Sequence, residues 1–153
     1  MIPQHDKDLY GWAMGNAQLL KQGKYNEADM DMIIEELEEM GSNKENELFS
    51  RLALLLSHLL KWHFQPNFRS HSWTNTIKEQ RFRIKRVLKK NPGLKGELDE
   101  TFQDSYTAAI FRATDETGLD EKTFPAECPY TFDQIMDDQF YPCLLYTSPS
   151  PRD

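Results

Sequence analysis

The 153-residue chain carries 39% apolar and 12% aromatic residues, enough for a packed core, and this excludes an intrinsically disordered chain. Its formal net charge of −7 argues against nucleic-acid binding over the whole surface. The longest uninterrupted apolar run, Leu52 to Leu56, is far too short to span a membrane.

A first helix is predicted from about Asp8 to Gln22, with Leu9, Trp12, Ala13, Asn16, Leu19 and Leu20 near the 3.6 period and Gly23 as its stop. Gly11 and Gly15, four apart, are expected to let a neighbouring helix approach closely. Asn26 is the expected cap of a second helix, whose apolar stripe is Met30, Ile33, Ile34, Leu37 and Met40 and which Gly41 ends. Ser42-Asn-Lys-Glu45 reads as a capping box. It opens a third helix to about Trp62, apolar nearly all round through Leu48, Leu52, Leu55, Leu56, Leu59 and Leu60, and therefore the buried central helix.

Pro66 interrupts the pattern. A fourth helix is predicted from about Trp73 to Lys90, with Ile77, Phe82, Ile84, Val87 and Leu88 turned inward. Asn91-Pro92 is read as a cap with a proline in the first turn, opening a fifth helix that Gly118 terminates. A Pro-rich stretch, Phe124 to Tyr130, precedes a short helix whose capping box is Thr131-Phe-Asp-Gln134. The expectation is an all-α, up-and-down bundle of about five helices plus a short C-terminal helix, a single domain over residues 1–142.

Residues 143–153, Cys-Leu-Leu-Tyr-Thr-Ser-Pro-Ser-Pro-Arg-Asp, have no periodicity and are unlike what precedes them. They resemble the conceptual translation of a transposase adapter used in DNA library preparation, and are expected to be a non-native tail. On that reading Cys128 is the sole native cysteine. Two cysteines with no Cys-x-x-Cys offer no disulfide framework, and Met1 to Lys7 has no apolar core of a signal peptide. The expected compartment is the cytoplasm, without membrane attachment.

The segment from His58 to Arg81, with its Leu-Lys-Trp…Gln-Pro…Arg-Ser…Ser-Trp core, carries a family resemblance. So do Asp8-Leu-Tyr-Gly-Trp12, Ile34-Glu-Glu-Leu-Glu-Glu-Met-Gly41, Glu116-Thr-Gly-Leu119 and Phe124-Pro-Ala-Glu-Cys-Pro-Tyr-Thr131. Together these resemble the family catalogued as domain of unknown function number twenty-nine, small proteins of cyanobacteria and proteobacteria. The resemblance implies a helical bundle and supplies neither an activity nor catalytic residues.

Charge is distributed unevenly. From Glu27 to Glu39 there are seven acids and no base, whereas Lys61 to Lys90 holds nine bases and one acid, Glu79. Aromatic and polar side chains meet at the interruption: Trp62, Phe64, Phe68 and Trp73 lie among His63, Gln65, Arg69, His71 and Ser72. One reading is a pocket whose arginine fork holds an anion. The other is a structural corner in which tryptophans fill a helix junction and Gln65 and Arg69 satisfy stray carbonyls. The candidate binding residues are Trp62, Gln65, Arg69, Trp73 and Arg81. No catalytic residue, metal ligand or cofactor site is assigned.

The basic stretch Lys78, Arg81, Arg83, Lys85, Arg86, Lys89 and Lys90 suits phosphate contacts or a solvated helix face whose end meets the helix dipole. The acids Glu35, Glu36, Glu38 and Glu39 are spaced as bundle enzymes space metal ligands, but that arrangement needs a second inward-facing set. The leading expectation is a small helical interaction module that binds a protein or nucleic-acid partner through the aromatic-basic surface. The alternative is a metal-dependent hydrolase of a phosphate-bearing substrate.

Overall fold

In a computed structural model of the chain, which describes residues 1–142, Asp8 caps the first helix by accepting a 2.9 Å hydrogen bond from the Gly11 amide. That helix, α1, covers Leu9–Lys21, and the chain turns out of it at Gly23, where φ is +75°. The glycines of α1 make room for no helix. The N-terminal segment folds back over them, so a Cβ added at Gly15 would lie 2.7 Å from Ile2.

The next helix begins at Met30, later than the Asn26 expected, and runs without a break to Phe64. This is α2, and it joins the two separate helices read from the sequence. Gly41 and the Ser42–Glu45 box lie inside it. The reason is energetic. A glycine inside a helix costs about 1 kcal/mol relative to alanine, and long flanks of Glu, Leu and Lys carry propagation across it.

Ser70 caps α3, His71–Lys90, and accepts from the Trp73 amide at 3.3 Å. Asn91 does not cap the element that follows. Its side-chain amide donates to Val87 O and so closes the C-terminal end of α3. A 3-10 stretch, Pro92–Glu97, leads into α4, Leu98–Thr117, which ends on Gly118 in the left-handed conformation at φ +76°. The short α5, Phe132–Met136, has the complete capping box of Thr131 and Gln134. The protein is thus an all-α helical bundle. Among the described residues it has four longer helices and one short one, and no helix is long and apolar enough to cross a membrane.

By its contacts the chain divides into two compact units, Met1–Asn43 and Lys44 onward. In the second, Leu48, Leu52, Leu55, Leu56, Leu59 and Leu60 are fully buried, as expected of the central helix. They pack with Ile77, Ile84, Val87 and Leu88 of α3, Tyr106, Ala109 and Ala113 of α4, and Phe124, Tyr130 and Ile135 beyond. Each such leucine contributes roughly 1.5–3 kcal/mol by leaving water. In the first unit α1 buries only Trp12 and Asn16. Polar ties hold it: the Trp12 indole donates to Asp29 at 3.1 Å, and Asn16 accepts from the Asp29 amide at 2.8 Å.

The non-native-tail reading concerns residues 143–153, which lie outside the described residues.

Candidate functional site

Pro66 ends α2 and begins a single 3-10 turn, Pro66–Phe68, before Ser70 starts α3. The resulting corner is stitched by Arg69, whose Nε donates to Trp62 O at 2.8 Å while its guanidinium sits 4.9 Å from the Trp62 ring centre. Trp62 in turn packs on Tyr141, ring centres 5.0 Å apart. These two candidate residues hold the corner together.

Gln65 and Trp73 have a different setting. With His58, Lys61, Phe68, Ser72, Glu116 and Thr117 they line an open cleft of about 540 Å³. Its floor holds a buried cation. The Lys61 ammonium is 2.6 Å from the Glu116 carboxylate and 5.1 Å from the centre of the Trp73 ring. Burial pushes the Glu116 carboxyl up, but the hydrogen bond and charge of Lys61 outweigh it and hold the group below its ordinary value. Burial, and next the charge of Lys61, lowers the pKa of His58, so its ring is neutral near pH 7. His58 Nδ1 lies 3.1 Å from Leu54 O, a contact that fits an N–H at that position. Sequence reasoning missed both Lys61 and Glu116. The signal available for Lys61 was a lysine embedded in an otherwise apolar helical run.

Arg81 is a correction. Expected at the binding surface, it is 1% exposed. Its Nε donates to Ile135 O at 2.6 Å, and its two terminal nitrogens donate to Asp138 O at 3.4 Å and Phe140 O at 2.6 Å. The guanidinium also lies 5.3 Å from the Tyr141 ring centre. A fork of fixed donors is well matched to the carbonyls at the end of α5 and just after it, where the helix ladder no longer supplies amides. Its neighbour Phe82, expected inward, is 64% exposed. The inward face of α3 runs Ile77, Arg81, Ile84, Leu88, at helical spacing of four, three and four.

The other bases of α3 remain outside: Lys78, Arg83, Lys85, Arg86, Lys89 and Lys90 are exposed. Arg83 pairs with Glu79 at 2.8 Å and Lys85 with Asp138 at 3.5 Å.

Of the acids of α2, Glu35, Glu38 and Glu39 are exposed, while Glu36 is hydrogen-bonded to His5 Nε2 at 2.7 Å. Among the described residues no group of three His, Cys, Asp or Glu side chains is placed to hold a metal ion. A further groove, about 450 Å³, includes Phe102, Tyr106 and Cys128. Burial pushes the Cys128 thiol up to about 11, which leaves it a weak nucleophile at neutral pH.

No curated protein and no solved structure matches the chain. A family model described as domain of unknown function DUF29 matches residues 4–141, in keeping with the motifs at the corner and in α1 and α2. The chain belongs to that family.

Proposed function

We propose that the protein is a small helical interaction module, and that it receives a protein partner in the cleft at the α2–α3 corner. The aromatic-basic surface read from the sequence is thereby narrowed to Gln65, Phe68 and Trp73 around Lys61, with Trp62 and Arg69 bracing the turn and Arg81 serving the interior. One observation carries this reading. At the floor of an open, aromatic-walled cleft lies an ammonium that spends one of its three donors on Glu116.

A buried lysine is costly unless paired. This one is paired and still has donors to offer, beside indole and phenyl faces that favour an apolar side chain. A partner segment with a carboxylate next to an apolar residue fits both features.

The test is affinity capture by the full chain from a cell extract, with and without nuclease, repeated with Phe68→Ser and Trp73→Ala. The expected result is a protein partner retained through nuclease treatment and lost from both variants. Phe68 is exposed, so its variant is expected to melt like the parent. Capture that nuclease abolishes and that depends on Lys85, Arg86 and Lys89 would replace the protein partner with a nucleic acid. Capture unchanged by both corner variants would remove the cleft from the function.

A further inference from the structure

The first unit leaves uncovered what a globular protein normally hides. On α2, Met30, Ile34, Leu37 and Met40 are all exposed, the last two at 62% each. Their spacing of four, three and three sets them along one stripe of the helix. The neighbouring face is already in use, since Ile33 is partly covered and Glu36 is held by His5. Acids follow one edge of the stripe, with Asp31 and Glu38 nearest it and Glu35 and Glu39 further round the helix. Asp31, Glu35, Glu38 and Glu39 are exposed, and among the described residues none of the four is in an ion pair.

We infer that this stripe is a docking site for a basic amphipathic helix of another protein, with aliphatic side chains seated on Met30, Ile34, Leu37 and Met40 and lysines or arginines meeting the acids beside them. The ten-residue step from Met30 to Met40 is about 15 Å long, some three turns of a partner helix. Two methionines give the surface the adaptability of flexible, polarisable side chains.

Charge decides the occupant. A second copy laid stripe on stripe would set two rows of unneutralised carboxylates side by side, and such like-charge contact is repulsive. A second copy's α3 offers bases, but its exposed large apolar side chain is Phe82 alone, too little for a four-residue stripe. An anionic membrane surface attracts cationic helices and would repel this one. A cationic amphipathic helix satisfies the stripe and its acidic edge together. The inference uses a surface remote in sequence from the corner cleft and stands whether or not that cleft binds.

The experiment measures anisotropy of labelled 14-residue peptides titrated with the full chain. One peptide has leucines at helical spacing and lysines elsewhere. A second replaces the lysines with glutamates, and a third scrambles the first. The expected result is binding of the first peptide at least tenfold tighter than either other. Leu37→Ser with Met40→Ser should weaken it at least tenfold, as should Glu35→Lys with Glu38→Lys, and the charge-reversed variant should gain the acidic peptide. Phe111→Ser, an exposed apolar position on α4, should bind as the parent does. Equal binding of the scrambled peptide would reduce the effect to charge alone and overturn the inference. So would a dimer in sedimentation that Leu37→Ser dissolves, since the occupant would then be a second copy. Helical circular dichroism equal to the parent's establishes that each variant is folded, as these side chains are exposed.

Discussion

The units Met1–Asn43 and Lys44 onward invert each other's distribution of apolar side chains. Of the eighteen buried hydrophobic residues among the described ones, only Trp12 lies in the first unit. Of the twelve large hydrophobic residues left exposed, nine lie there, from Met1 to Met40. The two units therefore answer different physical demands. A segment of about forty residues rarely builds a sufficient core unaided, and this one relies on Asp29, Asn16 and the His5–Glu36 contact for its internal order. The second unit has closed its core and turns a polar, charged surface outward. The exposed stripe of α2 is the feature of the first unit on which the docking inference rests.

The largest effects should come from the closed core. Leu55→Ala or Leu59→Ala should lower stability by about 2–5 kcal/mol in urea unfolding, the range for emptying a packed leucine site. Leu37→Ala, on the same helix but exposed, should stay within about 0.5 kcal/mol of the parent. Similar losses at Leu37 and Leu55 would erase the distinction between the units.

The next effect is smaller and concerns Arg81. Its removal takes three guanidinium hydrogen bonds from the chain, to Ile135 O, Asp138 O and Phe140 O, and a buried carbonyl such as that of Ile135 costs roughly 1–3 kcal/mol when it loses its partner. Arg81→Ala should therefore destabilise the protein and open the chain after α5 to limited proteolysis. Arg69→Ala, which loses one backbone contact at a partly exposed site, should cost less than about 1.5 kcal/mol. A stable Arg81→Ala protein with an uncut C-terminal segment would contradict the clasp.

What the sequence made legible follows from which signals are local. The leucine-rich stretch Leu48–Leu60 announced a buried helix, and Thr131 with Gln134 announced a cap that the structure contains. Ser42 and Glu45 carry the same cap signature, yet α2 passes through them. A cap forms only where the helix has a reason to end, and nothing after Met40 forces α2 to stop. Arg81 was read by its charge, although its place in the row Ile77, Arg81, Ile84, Leu88 marked it as inward. Its carbonyl partners lie more than fifty residues along the chain, and no local pattern reports them. The same limit hid the Lys61–Glu116 pair, whose members are 55 residues apart.

The smallest predicted effect separates the units by pH. Hydrogen bonds that the His5 ring donates to Asp6 and then to Glu36 raise its pKa above the ordinary 6.5. The contribution of those contacts is complete below that value and fades as pH rises through the raised one. In the second unit burial lowers the pKa of His58 and of His63, aided by Lys61 and by Arg69 respectively. These rings fold neutral, so the stability they allow is present above 6.5 and declines as pH falls from there through their lowered values. Acidification from about pH 7.5 to 5.5, the range in which histidine changes charge, should thus raise the protection of amides around His5 and Glu36, once exchange is corrected for the intrinsic slowing at lower pH. It should lower the protection of amides around His63 and Tyr130, which share a 2.9 Å hydrogen bond. Hydrogen-exchange mass spectrometry at the two pH values reads both changes in one sample. His5→Gln should abolish the first and leave the second intact, and a response of the same sign in both units would refute the opposed electrostatic settings of these histidines.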